Sequence, residues 1–570
     1  MSGTLTPSDE NGHRCWGGSR TASALPALNV IFRFFVSCLR GCATLVRSAL
    51  ARSQSVPAVG VLLALWMPQP VMAAAACDAL STVVLRNGKV TLAQEVAAGA
   101  FVPPATGRGR GGAPAPYADL PAFCRVAATL RPSGDSAINV EVWLPAAGGS
   151  APWNGKLEAL GGQGWAGTIG YAGLRDGLRR GYAVTATDSG HTGGAGIFAL
   201  EHPEQLVDFA YRSAHEMTLA AKTIVTTFYG SGPRLSYWDG CSTGGRMALT
   251  EAQRFPEDFD GIIAGAPANF SSHQAAQMMS VALAVHPPSR EASADEASYI
   301  PPAKYSLIHQ AVVEACDARD GAKDGVLEDP TRCDFDPGTL ECKGEDAATC
   351  LTPAEVSAAR KIYAPIVNPR TRETIFPGLS PGSELAWGTV AGPQPLAFPR
   401  EIYQFIVFKD PMWDYKMLDL DRDVARAEKA YDGMMDAINP DLTAFFKRGG
   451  KLLQYHGWSD QAVAPANSVN YYNSVVRKSG GDGRVQQSYR LFMVPGMTHC
   501  AGGEGTSSFD ALAALERWKE QGQAPAHIPA SRMAGGVVNR TRPLCPYPEV
   551  ATYKGAGSID EAANFVCKTR

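Results

Sequence analysis

Gly240-Cys241-Ser242-Thr243-Gly244 sets a serine between two glycines, with the strand-like RLSYW before it and the amphipathic GRMALTEAQRF just beyond. A serine on a tight strand-to-helix turn is held in a strained conformation with its oxygen exposed, and small neighbours let other backbone approach closely. The start of the following helix offers N–H groups and a positive dipole end where a developing oxyanion needs them. The chemistry this points to is acyl transfer with Ser242 as nucleophile.

Such a serine needs a base and an orienting acid, in chain order serine, acid, histidine. Six histidines follow Ser242. His273, His286 and His309 fall in a region of different texture, His527 in a polar, proline-flanked stretch, and His456 at a strand edge after KLLQY. His499 stands in VPGMTHCAGG, directly after a strand and in a glycine-rich loop, and is the expected base. Asp460, in QYHGWSDQAV, follows an earlier strand of the same half and is the expected acid; Asp188 precedes the serine and breaks the order. For the oxyanion, one donor is the Thr243 N–H and the second comes from EALGGQGWAG (Glu158 to Gly167), with Gly164 favoured.

Cys241 adjoins Ser242 and Cys500 adjoins His499. If serine and histidine meet, so do these two sulfurs, and a Cys241–Cys500 bond staples the base's loop to the nucleophile's turn. Placement to a fraction of an ångström governs rate, so the staple bears on chemistry as well as stability.

The elements that must position these residues read as follows. From about residue 80 to 270, strand-like AINVEVWLP, GKLEALGG, GYAVTATDSG and GIIAGAP alternate with helical stretches such as SAHEMTLAAKTIVTTFYG, which predicts a mainly parallel sheet covered on both faces. The texture then changes: PPSREASADEASYIPPAKYSL is polar and proline-marked, and helices, aspartate-rich turns and four cysteines follow. The α/β texture returns at FFKRGGKLLQYHGWSD. The prediction is an α/β catalytic domain over 77–270 and 436–570, interrupted by an insertion over 271–435 that sits as a lid.

The chain has 570 residues, 45% of them hydrophobic, and a formal net charge of -3 with no basic block. Phosphate binding needs clustered Lys and Arg, so a nucleic-acid surface is not expected. Residues 1–76 read as a leader: VPAVGVLLALWMPQPVMAAAAC has an apolar run too short to span a bilayer, then a small-residue stretch with cleavage expected between Ala73 and Ala76, and Arg47 and Arg52 form its positive flank. An uncleaved anchor and a lipid-modified Cys77 are the alternatives; Ala74 matches the latter poorly. Ten of the 13 cysteines lie beyond that leader, an even number that in an exported protein reads as five disulfides, whose pairing the spacing leaves open. Zinc is disfavoured, because the one tight pair, Cys342 and Cys350, has no histidine beside it. The expected location is the periplasm or outside the cell, with no membrane association once the signal is cleaved; the oligomeric state is not legible.

The Cys-Ser turn, the distant aspartate and the His-Cys pair, together with WNGKLEALGGQG, GCSTGGRMALTEAQRFPEDFDGIIAGAPA, GGKLLQYHGWSD, VPGMTHCAGG and RTRPLCPYPEVATYKGAGSIDEAANFVC, resemble the tannase/feruloyl esterase family of α/β-hydrolases. That family also includes the hydrolase of mono(hydroxyethyl) terephthalate. The resemblance implies a Ser242, Asp460, His499 triad and a lid that shapes an aromatic-acyl pocket. It implies the pairs Cys77–Cys124, Cys241–Cys500, Cys316–Cys333, Cys342–Cys350 and Cys545–Cys567. It also implies a structural calcium ion in CDARDGAKDGVLED, held by Asp317, Asp320 and Asp324 and by the main-chain carbonyls of Ala322 and Val326; aspartates on a glycine-bent loop supply the hard oxygens calcium prefers. No organic cofactor is implied.

For specificity the resemblance points to the lid stretch GSELAWGTVAGPQPLAFPREIYQFIVFKDP, where Trp387 and Phe405 are candidate aromatic walls and Arg400 a candidate partner for a carboxylate; Val463 stands where the terephthalate-monoester hydrolase has a phenylalanine. The expected substrate is a small ester of an aromatic acid: a feruloyl, chlorogenic, gallic or terephthalic monoester. A hydrolase specific for mono(hydroxyethyl) terephthalate, a peptidase on the same scaffold and a binding protein without turnover are the rivals.

Overall fold

The apolar runs that alternate with helical segments join one ten-stranded sheet in the computed structural model, which describes residues 75–104, 117–146, 148–288 and 298–569. The predicted leader lies outside the described residues as far as residue 74. Among the described residues no helix is long and apolar enough to cross a membrane.

Strands β1 (Val84–Leu85), β2 (Gly88–Val96), β3 (Phe123–Leu130) and β4 (Ile138–Pro145) form an antiparallel edge. After β5 (Lys156–Leu160), β6 (Ala183–Thr187), β7 (Leu235–Cys241) and β8 (Gly261–Gly265) the order runs β4-β6-β5-β7-β8, and from β6 onward neighbours are parallel. Every residue of β6 and of β8 is buried, as parallel strands with helices on both faces require. The pleat divides them cleanly. Trp238 and Ile262 pack with Met217 and Val225 of α3 (Ser213–Tyr229) and Met247 of α4 (Thr243–Arg254). Tyr237 and Ile263, one residue along, pack on the other face with Leu174 and Leu178 of α1 (Tyr171–Arg179) and with Trp518 of the helix Ala511–Gln521. Between α1 and α3 lies the short α2 (Pro203–Val207).

After β8 the chain leaves the sheet. It builds α5 (Ser271–Val285), helices Pro302–Cys316, Pro353–Tyr363 and Asp423–Tyr431, and a small ribbon of β9 (Ile366–Val367) with β10 (Thr374–Phe376). It then returns as β11 (Lys451–Gly457) in the place beside β8, with Leu452 opposite Ile262 and Tyr455 opposite Gly265. The excursion has its own core of Met278, Val285, Tyr305, Ile308, Ile362 and Trp387. Its two ends are tied: Phe270 bridges Asp436, and the Asp436 carboxylate accepts from the Ser272 N–H at 3.0 Å and hydroxyl at 2.6 Å.

β12 (Tyr489–Val494) pairs parallel with β11 and closes the sheet. The tail differs from a simple continuation of the α/β texture. β13 (Ser508–Phe509), β14 (Ile528–Ala534) and β15 (Val537–Leu544) make a separate antiparallel sheet, followed by a ribbon of β16 (Glu549–Tyr553) with β17 (Phe565–Thr569). Such short hairpins bury little apolar area by themselves, and a Cys545–Cys567 disulfide secures the last one. The other disulfides are Cys77–Cys124, Cys241–Cys500, Cys316–Cys333 and Cys342–Cys350.

Candidate active site

β7 ends at Cys241, and Ser242 turns the chain into α4 with φ 64° and ψ -120°, a left-handed excursion that a β-carbon-bearing residue adopts only when its surroundings impose it. The restraint is visible. The Ser242 N–H donates to the Gly265 carbonyl at 3.0 Å, and its own carbonyl accepts from Ala268 at 3.1 Å. A β-carbon on Gly240 would lie 2.6 Å from the Gly244 carbonyl oxygen, so only glycine lets strand and helix close this tightly.

Asp460 and His499 come from the loops after β11 and β12, neighbouring strands whose loops are held together by Trp458 N–H to Val494 carbonyl (2.9 Å) and Ser459 N–H to Met497 carbonyl (3.0 Å). The Ser242 hydroxyl donates to His499 Nε2 at 2.9 Å, and His499 Nδ1–H donates to Asp460 Oδ2 at 2.7 Å. The Cys241–Cys500 disulfide, spanning 259 residues of sequence, runs beside this contact. Such a chain can pass the hydroxyl proton to an imidazole whose other nitrogen faces a carboxylate.

Asp460 is fully buried. Its Oδ1 accepts from the Ala462 and Val463 N–H groups at 2.7 and 2.8 Å, and its Oδ2 accepts from His456 Nε2–H at 3.1 Å as well as from His499. Burial works to raise its pKa; the His499 charge and hydrogen bonds from the two imidazoles outweigh burial and hold the carboxyl well below the usual range. For His499 the balance is the mirror image. Burial works to lower its pKa, and the charge and hydrogen bond of Asp460 outweigh it and hold the imidazole above its ordinary 6.5.

Thr243 opens α4, and its hydroxyl donates to the Gly164 carbonyl at 2.8 Å, so the loop after β5 lies against the serine turn. Neither the Thr243 nor the Gly164 N–H donates to another backbone group of the described residues. Both residues, with Ser242 and His499, line a cavity of about 360 Å³, within the range of small-molecule sites. Met278, Leu396, Phe398, Ala462 and Val463 supply its apolar walls.

A model of the family described as tannase and feruloyl esterase matches residues 124–568. The chain belongs to this family. It is 38% identical over 548 residues to an uncharacterized esterase from Xanthomonas campestris pv. campestris, covering 87% of this chain and 91% of that one. It is 34% identical over 468 residues to a probable feruloyl esterase B-2 from Aspergillus fumigatus, covering 78% and 86%. The crystal structure of feruloyl esterase B from Aspergillus oryzae superposes with a TM-score of 0.78 at 29% identity, over 86% of this chain and all (100%) of that one. Tannin acyl hydrolase from Aspergillus niger shares the fold with a TM-score of 0.69 at 22% identity, over 87% and 94%. The protein is an esterase with an α/β-hydrolase fold and a large insertion after β8.

Three residues proposed for the pocket of the esterase are placed elsewhere. Trp387 is fully buried in the insertion's own core, its Nε1–H donating to Ser383 Oγ at 2.9 Å, because the largest apolar side chain of that stretch is needed to fill it. Phe405 is half-buried on the turn Ile402–Val407 and does not line the cavity. Arg400 does not line it either; its Nε is buried without a hydrogen-bond partner, one turn from the wall residues Leu396 and Phe398. Val463 does line it. The sequence carried no signal for Met278 and Phe398, since an apolar residue on a helix packs into a core or faces a cavity with the same periodicity. His456, read as a strand edge, is fully buried against Asp460. Asp188 is spent on structure, accepting from the Asn139 and Gly190 N–H groups at 3.0 and 2.9 Å. Of the other histidines, His273 pairs with Glu428, His309 with Glu384, and His286 with the Gly392 carbonyl.

The acidic loop bends at Gly321 and Gly325, both with positive φ. Asp317 is buried, and its Oδ1 lies inside the fold with no hydrogen-bond partner, while Oδ2 accepts from Gly325 N–H at 2.9 Å. Burial foremost, and then the charges of Asp324 and Asp317, push the Asp320 carboxyl up to about 6. Asp324 accepts from Val326 N–H at 3.1 Å and pairs with Arg542. An unsatisfied carboxylate oxygen among mutually repelling carboxylates fits a hard cation. The loop also touches the base's segment: a β-carbon on Gly496 would come 3.0 Å from Val326.

Proposed function

We propose that this esterase is a serine hydrolase that cleaves esters of aromatic, chiefly phenolic, acids such as feruloyl, chlorogenic, gallic or terephthalic monoesters through an acyl-enzyme. The observation that carries the reading is the Ser242–His499–Asp460 hydrogen-bond chain opening on the apolar cavity. Ser242 Oγ attacks the ester carbonyl carbon while His499 Nε2 takes its proton. The Thr243 and Gly164 N–H groups bind the oxygen that gains charge. Collapse breaks the carbon–oxygen bond to the alcohol, and His499 returns the proton to the departing oxygen. His499 then takes a proton from water as it attacks the acyl carbon; the bond from that carbon to Ser242 Oγ breaks, His499 returns the proton to Oγ, and the acid is released. Asp460 accepts the Nδ1–H of His499 throughout, which keeps the neutral imidazole in the Nδ1–H tautomer and stabilises the imidazolium.

The names of the fungal relatives and the walls of Met278, Leu396, Phe398 and Val463 favour a flat apolar acyl group. The insertion carries Met278, Leu396 and Phe398 and acts as the lid. Five disulfides suit an oxidising compartment, and we place the mature protein in the periplasm or outside the cell. Asp317, Asp320 and Asp324, with the carbonyls of Ala322 and Val326, hold a calcium ion whose contribution is to neutralise and rigidify the loop.

The deciding experiment is rapid mixing with a chromogenic aromatic ester. A burst of alcohol matching the enzyme concentration, lost in Ser242→Ala, supports the reading; turnover that survives Ser242→Ala overturns it. Absence of hydrolysis of every ester tried would make the chain a binding protein.

A further inference from the structure

Behind Asp460 lies a line of hydrogen bonds that the reaction as described does not use. Tyr489 Oη donates to Gln454 Oε1. Gln454 Nε2–H donates to Ser468 Oγ at 2.6 Å, and Ser468 Oγ lies 2.7 Å from His456 Nδ1. His456 Nε2 lies 3.1 Å from Asp460 Oδ2 and 3.0 Å from the Val463 carbonyl oxygen. Tyr489, Gln454, Ser468, His456 and Asp460 are all fully buried.

With His456 neutral, one arrangement of protons gives every group in this line a partner. His456 Nε2 faces a carboxylate and a carbonyl, both acceptors, so it carries hydrogen. Ser468 Oγ already accepts from the Gln454 amide, and its single proton has His456 Nδ1 as its acceptor. His456 is therefore held as the Nε2–H tautomer, with its donor aimed at Asp460. The two Asp460 oxygens then receive four donors: two backbone N–H groups on Oδ1, and the His456 and His499 imidazoles on Oδ2. That fills the hydrogen-bonding capacity of an ionised carboxylate and fixes its plane.

We propose that His456 is a positioning residue for this esterase: through its fixed Nε2–H it holds Asp460 and moderates the basicity of His499. The proposal rests on the triad reading above. The electrostatic step has a definite sign. A donor on Asp460 stabilises the carboxylate most when its charge is uncompensated, which is when His499 is neutral. Removing the donor therefore favours the imidazolium and raises the pKa of His499. Asp460 is the titratable group in contact with both imidazoles, and the Tyr489 hydroxyl closes the far end of the line.

The test uses His456→Phe, which keeps a ring and loses the donor, and His456→Gln, whose Nε2–H reaches the same place. The expected result for His456→Phe is a kcat lowered about tenfold at little-changed KM, with the acid limb of kcat/KM moved up by roughly half to one pH unit. His456→Gln restores the limb. A folded His456→Phe with wild-type kcat and an unmoved limb overturns the proposal, as does a limb that moves down. Should His456→Phe not fold, Ser468→Ala decides, because it removes the donor to His456 Nδ1 and so weakens Nε2–H as a donor to Asp460 without touching the triad: a smaller shift in the same direction supports the proposal, and an unchanged profile overturns it. If Ser242→Ala is dead while these variants behave as wild type, this inference alone fails; activity in Ser242→Ala removes the triad reading itself.

Discussion

Replacing Asp460 by asparagine exchanges one oxygen for an amide nitrogen in a place where every neighbour is known. Oδ1 accepts from the Ala462 and Val463 N–H groups, so the asparagine carbonyl takes that position and the NH2 group falls where Oδ2 was. There it meets the donors of His499 Nδ1 and His456 Nε2. Two donors cannot face each other at 2.7 Å, and His499 escapes by moving its proton to Nε2. In that tautomer Nε2 donates to Ser242 and cannot take its proton. The expected loss in kcat is about 10⁴-fold, or ~5.5 kcal/mol of barrier, with KM nearly unchanged because Asp460 does not line the cavity. The assay is steady-state hydrolysis of a chromogenic aromatic ester, with near-ultraviolet circular dichroism and a melting curve as folding controls. A folded Asp460→Asn that keeps more than about a tenth of the wild-type kcat would refute the assignment of Asp460 as the residue that orients His499.

Four further outcomes are expected. In the proposed mechanism His499 acts as a neutral base, and Asp460 holds its pKa above 6.5, so kcat/KM should fall as pH drops through a midpoint above that value; a midpoint below it contradicts the Asp460 contact. Cys241→Ala with Cys500→Ala should lower the melting temperature, since the bond closes a loop of 259 residues worth up to ~5 kcal/mol in the chain-entropy model, and should lower kcat by about tenfold as the His499 loop gains freedom. Phe398→Ala should raise KM for aryl esters by about tenfold, an aromatic contact of ~1 kcal/mol plus lost apolar area, while short aliphatic esters are hydrolysed as before. Chelation should lower the melting temperature with little change in kcat at 25 °C, and an unchanged melting temperature would remove the ion from the Asp317 loop.

What the sequence made legible follows from how local the constraint was. The serine turn was readable because backbone packs so closely at 240 and 244, against Gly244 and against Gly161 and Gly162, that only glycine fits there, and that demand leaves a written trace. Asp460 and His499 were readable because parallel strands deliver their loops to one end of the sheet. Trp387 and Phe398 were not distinguishable: both are large apolar residues of the insertion, and only the packed core shows that one fills it and the other faces the cavity. Arg400 drew attention as a charge, yet it stands beside the wall rather than in it. His456 carries no such trace, because a strand-edge position predicts nothing about a partner four residues on, where the chain turns back. The small C-terminal sheets were not legible because β14 and β15 carry Pro529, Arg532, Arg540, Arg542 and Pro543 instead of an apolar alternation, and Ser508–Phe509 is too short to show a period.

The bridge between Phe270 and Asp436 has a consequence for chain length. Because the excursion starts and finishes at one clasp, its contents can lengthen, shorten or be exchanged while β8 and β11 keep their pairing, and chain-closure entropy rises only with the logarithm of the added length. The insertion contributes Met278, Leu396 and Phe398 to the cavity walls and the frame contributes Gly164, Ser242, Val463 and His499, so a change inside the clasp alters part of the lining and leaves the Ser242–His499–Asp460 contacts on the frame.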